Sequence, residues 1–114
     1  MNLEIAARET GDVKIVRASG RLTIGSEADL LNRELRDVVV AGWKKLLVNL
    51  SGVDKIDSSG ISTLVRTSIT LGRLGGSLRL VCPPGRVRDA LELTRLVGAI
   101  PTFEDESAAL VSFR

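Results

Sequence analysis

The sequence predicts an α/β domain built on a mixed sheet, and three observations carry that prediction. Short apolar runs alternate with longer stretches of helical periodicity; the alternation follows two strand-like segments joined by a tight turn; and one middle run, KKLLVNL, is almost continuously apolar, as a strand covered on both faces requires. The expected order is strand, strand, helix, strand, helix, strand, helix, strand, helix. An antiparallel opening hairpin therefore leads into parallel βαβ units, whose crossovers should be right-handed, with about four helices flanking the sheet. At 114 residues and 44% hydrophobic content the chain can bury a single core without disulfides or metal, and no repeat or linker divides it, so one domain is expected over residues 1–114.

Each element has its own warrant. LEIAARE and DVKIVRASG flank the turn-like Thr10-Gly11-Asp12 and read as a hairpin, with Val13 and Ile15 or Val16 among the buried positions. From Ser26 to about Ala41, Ser26-Glu27-Ala28-Asp29 resembles a capping box, and Leu31, Leu35, Val38 and Val39 recur with helical spacing until Gly42. KKLLVNL is the buried strand. Ile61, Leu64, Val65, Ile69 and Leu71 keep a helical rhythm from 58 to roughly 74, where Gly75-Gly76 offers a left-handed C-cap. SLRLVC returns as a strand, Pro83-Pro84-Gly85 turns the chain, and RVRDALELTRL forms a third helix with Val87, Ala90 and Leu91 on one stripe. AIPTF is a short strand that Pro101 confines to an edge, and DESAALVSF is a last helix capped by an acid.

Composition narrows the function. The 16 basic and 14 acidic residues are interspersed, so no charge block marks a nucleic-acid footprint, and two Phe and one Trp leave little to stack on bases. The chain has no His and no Tyr, which removes the usual general base and the commonest metal ligand; an enzyme, a cofactor and a metal site are all unexpected. The single cysteine, Cys82, lies in an apolar run without a CxxC partner, which points to a buried thiol in a reducing compartment, the cytoplasm. The N-terminal stretch lacks a signal-peptide core and no apolar run approaches the ~20 residues of a bilayer span, so no membrane insertion is expected. GRLGGS matches no phosphate-binding pattern and reads as a C-cap and turn. In PPGRVR, Arg86 and Arg88 could reach a phosphate, although a solvated helix start accounts for them more simply.

The stretch VDKIDSSGIS, residues 53–62, carries the site hypothesis. As N-cap, Asp57 would accept from the N–H of Ser59 or Gly60, with Ile56 and Ile61 forming a hydrophobic staple. Ser58 and Ser59 then fall in the first turn, where free N–H groups and the helix dipole tolerate negative charge. Gly60 would let another molecule approach the backbone closely. A phosphate on one of these hydroxyls would leave the fold intact and obstruct a docked partner. Read locally, helix capping without regulation explains the same residues.

Three segments together extend the argument: LLVNLSGVDKIDSSGISTLV, GGSLRLVCPPGRVRDALELTRL and FEDESAAL. Their motifs and spacing resemble the STAS domains of the bacterial anti-sigma factor antagonist family over nearly the whole chain. The resemblance implies a mixed sheet flanked by helices, no catalysis and no cofactor. It also implies a phosphorylatable serine at the first Ser of the DSSG turn, here Ser58. The implied partners are an anti-sigma factor that is also a serine protein kinase, which binds the unmodified form and frees sigma factor, and a serine phosphatase that reverses phosphorylation. The implied docking surface comprises Asp57, Ser58, Ser59, Gly60, Ser62 and the loop after the second strand at Thr23. Thr23 stands where family members often carry Asp, which, with the slight basic excess, leaves a second reading: a non-catalytic STAS subunit of a lipid-transport ATP-binding cassette system or a stressosome-like assembly, docking through the same surface.

Overall fold

The computed structural model describes residues 3–114; the side chains of Leu96 and Val97 are not described. Strands β1 (Leu3–Thr10), β2 (Val13–Leu22), β3 (Lys45–Ile56), β4 (Ser77–Val81) and β5 (Thr102–Phe103) form one sheet in sequential order. The helices are α1 (Ser26–Val40), α2 (Ser58–Arg73), α3 (Arg86–Leu93), the single turn α4 (Leu96–Ala99) and α5 (Glu106–Val111). β1 and β2 pair antiparallel around the two-residue loop Gly11–Asp12, where Gly11 takes the positive φ such a tight hairpin demands. Every later pairing is parallel.

Sequential strand order with crossovers of one hand puts the crossover helices on one face of the sheet. On that face Leu31 and Leu35 of α1, Leu64 and Leu71 of α2 and Leu91 of α3 close over Val16, Leu22, Leu46, Val48, Leu50 and Leu80. After β5 the chain folds back across the other face, where Ala109 and Leu110 of α5 and Phe113 just beyond it pack over Val13, Ile15, Leu47 and Val81. Ile15 and Val16 are thus both core residues, on opposite faces, and β3 is buried without interruption from Leu46 to Leu50. Glu106 at the start of α5 ties this layer down: its carboxylate accepts from Arg8 of β1, and from Asn49 Nδ2 of β3 at 2.6 Å. Burial raises the pKa of Glu106, but the Arg8 and Asn49 hydrogen bonds outweigh it and hold the carboxyl below its ordinary value.

Several boundaries differ from the sequence expectation for identifiable reasons. Ser26 does not cap α1: Gly25 is the N-cap, no side chain bonds to the helix start, and the Ser26 hydroxyl donates to Glu27 at 2.9 Å. The third helix stops at Leu93 because the Thr94 hydroxyl turns back onto the Leu91 carbonyl at 2.9 Å and Arg95 adopts φ 61, where a helix cannot continue. Gly75 (φ 84) does end α2, and Asp105 caps α5 by accepting from Ala108 N at 2.8 Å. The edge strand β5 is only Thr102–Phe103, preceded by Pro101. β3 continues beyond the apolar run to Ile56, through two irregularities in its pairing with β2.

Candidate functional site

The parallel strands end together at one pole of the sheet, and there β3 hands the chain to α2. Leu22 and Ile56 are the last paired residues of β2 and β3, and the Asp57 N–H donates to the Leu22 carbonyl at 3.2 Å, so the two strand ends stay clamped as α2 begins. Asp57 is the N-cap in extended conformation. Its Oδ1 accepts from Ser59 N at 2.9 Å and from Gly60 N at 3.4 Å. Its other oxygen, Oδ2, accepts from Ile24 N at 2.9 Å, across the pole on the loop between β2 and α1. One carboxylate therefore caps a helix and fixes a neighbouring loop.

Ser58, the first residue of α2, is exposed, as is Ser62 one turn on; Ser59 is half-buried. Thr63 and Thr67 are buried and spend their hydroxyls on the carbonyls of Ser59 and Thr63. Ile24, at 77% exposure, is a large apolar side chain held out beside this turn. Together with Gly25, Ala28, Asp29 and Asn32 of the α1 side, Ser59, Ser62, Thr63 and Arg66 of α2 enclose a shallow cleft of about 280 Å³. Ile24, Asn32 and Arg66 were not singled out from the sequence; no local pattern distinguishes an exposed isoleucine in a loop from a buried one.

Three expectations about this turn change in the structure. Gly60 is buried: a Cβ there would lie 2.6 Å from Leu22 Cγ, 2.9 Å from the Leu22 carbonyl oxygen and 3.0 Å from Ile56 Cγ1. Its lack of a side chain lets α2 seat on β2 and β3, and does not open the backbone to a visiting molecule. Thr23, at 9% exposure, is buried, its hydroxyl 3.3 Å from Glu27 Oε1, so it supports the loop while Ile24 occupies the surface. The helix start is also less open to an anion than the capping argument assumed. Asp57 already engages the N–H groups of Ser59 and Gly60, and its carbonyl accepts from Ile61 N at 3.1 Å.

Burial raises the pKa of Asp57, but hydrogen bonds from the backbone of Ile24, Ser59 and Gly60 prevail and lower it. Because the folded value lies below the unfolded one, the unfolded chain binds more protons in the acid range. The contribution is complete above pH ~4 and disappears as pH falls through the folded value; Glu106 acts in the same direction. Asp57→Ala should cost about 0.5–2 kcal/mol at neutral pH by loss of the cap. Asp57→Asn, which keeps an acceptor, should cost less yet flatten the acid limb. Urea unfolding at pH 7 and pH 3 measures both effects.

Elsewhere, Cys82 is buried with its thiol pKa raised by burial, partly offset by Arg88. No group of metal-binding side chains occurs among the described residues. No helix among them is long and apolar enough to cross a membrane.

The arrangement can be set beside known proteins. The family model of the STAS domain matches residues 4–109. A Thermotoga neapolitana protein named as a candidate anti-sigma factor antagonist is 31% identical over 100 residues, which is 87% of this chain and 88% of that protein. The crystal structure of an anti-sigma factor antagonist from Mycobacterium paratuberculosis superposes with a TM-score of 0.87 at 25% identity, covering 96% of this chain and 92% of the other. That of a candidate anti-sigma factor antagonist from Thermotoga maritima gives a TM-score of 0.88 at 27% identity, covering 95% and 92%.

Proposed function

The chain belongs to the STAS domain family, and from that premise we propose that it is an anti-sigma factor antagonist switched by phosphorylation of Ser58. The observation that carries the reading is the exposed Ser58 on the first residue of α2, beside a cleft bounded by a second helix and an exposed isoleucine. Unmodified, this pole docks the anti-sigma factor through Ser58, Ser59, Ser62 and Ile24, and sigma factor is released. Asp57 holds the docking surface in shape, Gly60 lets α2 sit close to the sheet, and Thr23 supports the loop from beneath. Phosphate on Ser58 adds about −1.5 to −2 charges where the partner must sit, and binding ends. The partner is a serine protein kinase of the histidine-kinase-like ATPase type, a serine phosphatase restores the binding form, and the cycle runs in the cytoplasm. The chain itself acts by binding and not by catalysis.

Names of relatives support the antagonist role, and the geometry of α2 supports Ser58 as the switched residue. The test is competition. Purified protein added to a complex of sigma factor with an anti-sigma kinase domain should release sigma on a sizing column. Sigma that stays bound, with the protein instead copurifying with transporter subunits, would contradict the proposal and favour a STAS subunit of a transport complex.

A further inference from the structure

The two irregularities in the β2–β3 pairing have a common form. Arg17 and Ser19 face Asn49 and Gly52, and Gly20 and Arg21 face Val53 and Lys55, so each inserts one extra residue into β3. A bulge of this kind bends its strand and re-aims the side chains that follow. At the second one the extra residue, Asp54, and the Lys55 that follows it are both exposed, and Lys55 lies directly across from Arg21, also exposed. Like charges opposed across a sheet are unfavourable. Among the described residues the ion pairs are Arg8–Glu106, Lys14–Glu9, Lys45–Asp12 and Arg88–Glu92, and neither Arg21 nor Lys55 belongs to any of them.

A third cation completes the group. Arg86, the exposed first residue of α3 and likewise in none of these ion pairs, shares with Lys55, Ile56 and Val87 the lining of a cleft of about 260 Å³. Asp54 lines the same cleft, one acid beside the two cations Lys55 and Arg86. Asp57, next along the chain after Ile56, is turned onto backbone N–H groups. Ser58 follows immediately.

We propose that Arg21, Lys55 and Arg86 form a cationic docking rim beside Ser58 that receives an acidic segment of the partner protein. Its coupling to the switch rests on the reading of Ser58 given above: a phosphate there competes with that segment for the same cations, since the amides of Ser59 and Gly60 already hold Asp57. Charge complementarity selects the occupant. An exposed, mutually repelling pair of cations that belongs to none of the described ion pairs is relieved when a carboxylate-bearing surface arrives, and such pairs set association rate and partner choice. The balanced overall charge and few aromatic residues favour an acidic protein over nucleic acid.

The experiment is a titration of ¹⁵N-labelled protein with a hexaglutamate peptide at low salt, with a short DNA duplex as the competing probe. The largest amide shifts should fall at Arg21, Lys55 and Arg86, fade as salt is raised, and shrink in Arg21→Glu, Lys55→Glu and Ser58→Glu. Arg21→Glu also places opposite charges across the strands, so its melting temperature should rise, which separates lost binding from lost folding. With an anti-sigma kinase domain as the second probe, Arg21→Glu and Lys55→Glu should each slow association roughly tenfold at low salt. Shifts spread evenly over other basic residues, shifts unchanged by Arg21→Glu, or tighter binding of the duplex at the same residues would overturn the rim. Ser58 phosphorylated by the kinase while the rim variants associate at the wild-type rate would sink the rim and leave the switch standing. Peptide bound at the rim with Ser58 never phosphorylated would do the reverse, and an unchanged Ser58→Glu would remove the competition between phosphate and peptide.

Discussion

Ser58→Asp is expected to weaken binding to the anti-sigma partner by about two to nearly four decades, because the rim cations can serve either the new carboxylate or the partner's acidic segment, and one acid is left uncompensated inside the formed interface, at about 3–5 kcal/mol. The free protein should scarcely notice the change. Ser58 is exposed, and an acid in the first turn of a helix is compatible with its dipole. Ser58→Ala removes the acceptor hydroxyl without adding charge and should bind like the unmodified protein. Calorimetric titration of the three forms, with melting curves alongside, separates the two effects: affinity changes steeply in one variant while stability holds in all. An unimpaired Ser58→Asp would mean that the partner does not cover this hydroxyl.

The second large effect concerns how α2 is seated. Leu22→Ala should cost about 2–5 kcal/mol, since Leu22 is fully buried beneath α2 and its loss opens a cavity at the pole. Gly60→Ala should cost about 1–3 kcal/mol by overpacking, its methyl meeting both the Leu22 side chain and the less yielding Leu22 carbonyl oxygen. The two changes are coupled. In the double variant the methyl added at position 60 enters space vacated by the Leu22 side chain, so the combined loss should fall short of the sum, though not vanish, because the clash with the carbonyl remains. Denaturant unfolding of the four proteins in this cycle reads the coupling directly. Strict additivity would mean that Gly60 and Leu22 do not pack as described.

What could be read from the sequence, and what could not, follows from where the physics is local. The DSSG turn was legible because capping depends on residues two or three positions apart, and Asp57 does bond to Ser59 and Gly60. Its second oxygen, on Ile24, was not, since that partner is 33 residues away. The buried part of β3 was evident in its apolar run, but its extension to Ile56 was hidden. Two bulges break the period-two alternation after Asn49, and a bulge has no reliable composition of its own. Gly52 marks one of them, since a Cβ there would come within 2.6 Å of Ser19 Oγ, a closeness that only the folded register reveals. The role assigned to Gly60 failed for the same reason. A glycine required by a visitor and one required by a neighbouring strand look alike until the strand is in place.

The chain's own residues make the pole of the sheet a coherent device: an exposed serine, a carboxylate that fixes the turn and the adjacent loop, and exposed cations beside them. The measurement that bears on its purpose most directly is intact-mass analysis after incubation with a cognate anti-sigma kinase and ATP. Wild type should gain a single phosphoryl group, located at Ser58 by fragmentation, and Ser58→Ala should gain none. Equal incorporation in both proteins, or a phosphate lodged on another hydroxyl, would contradict the account.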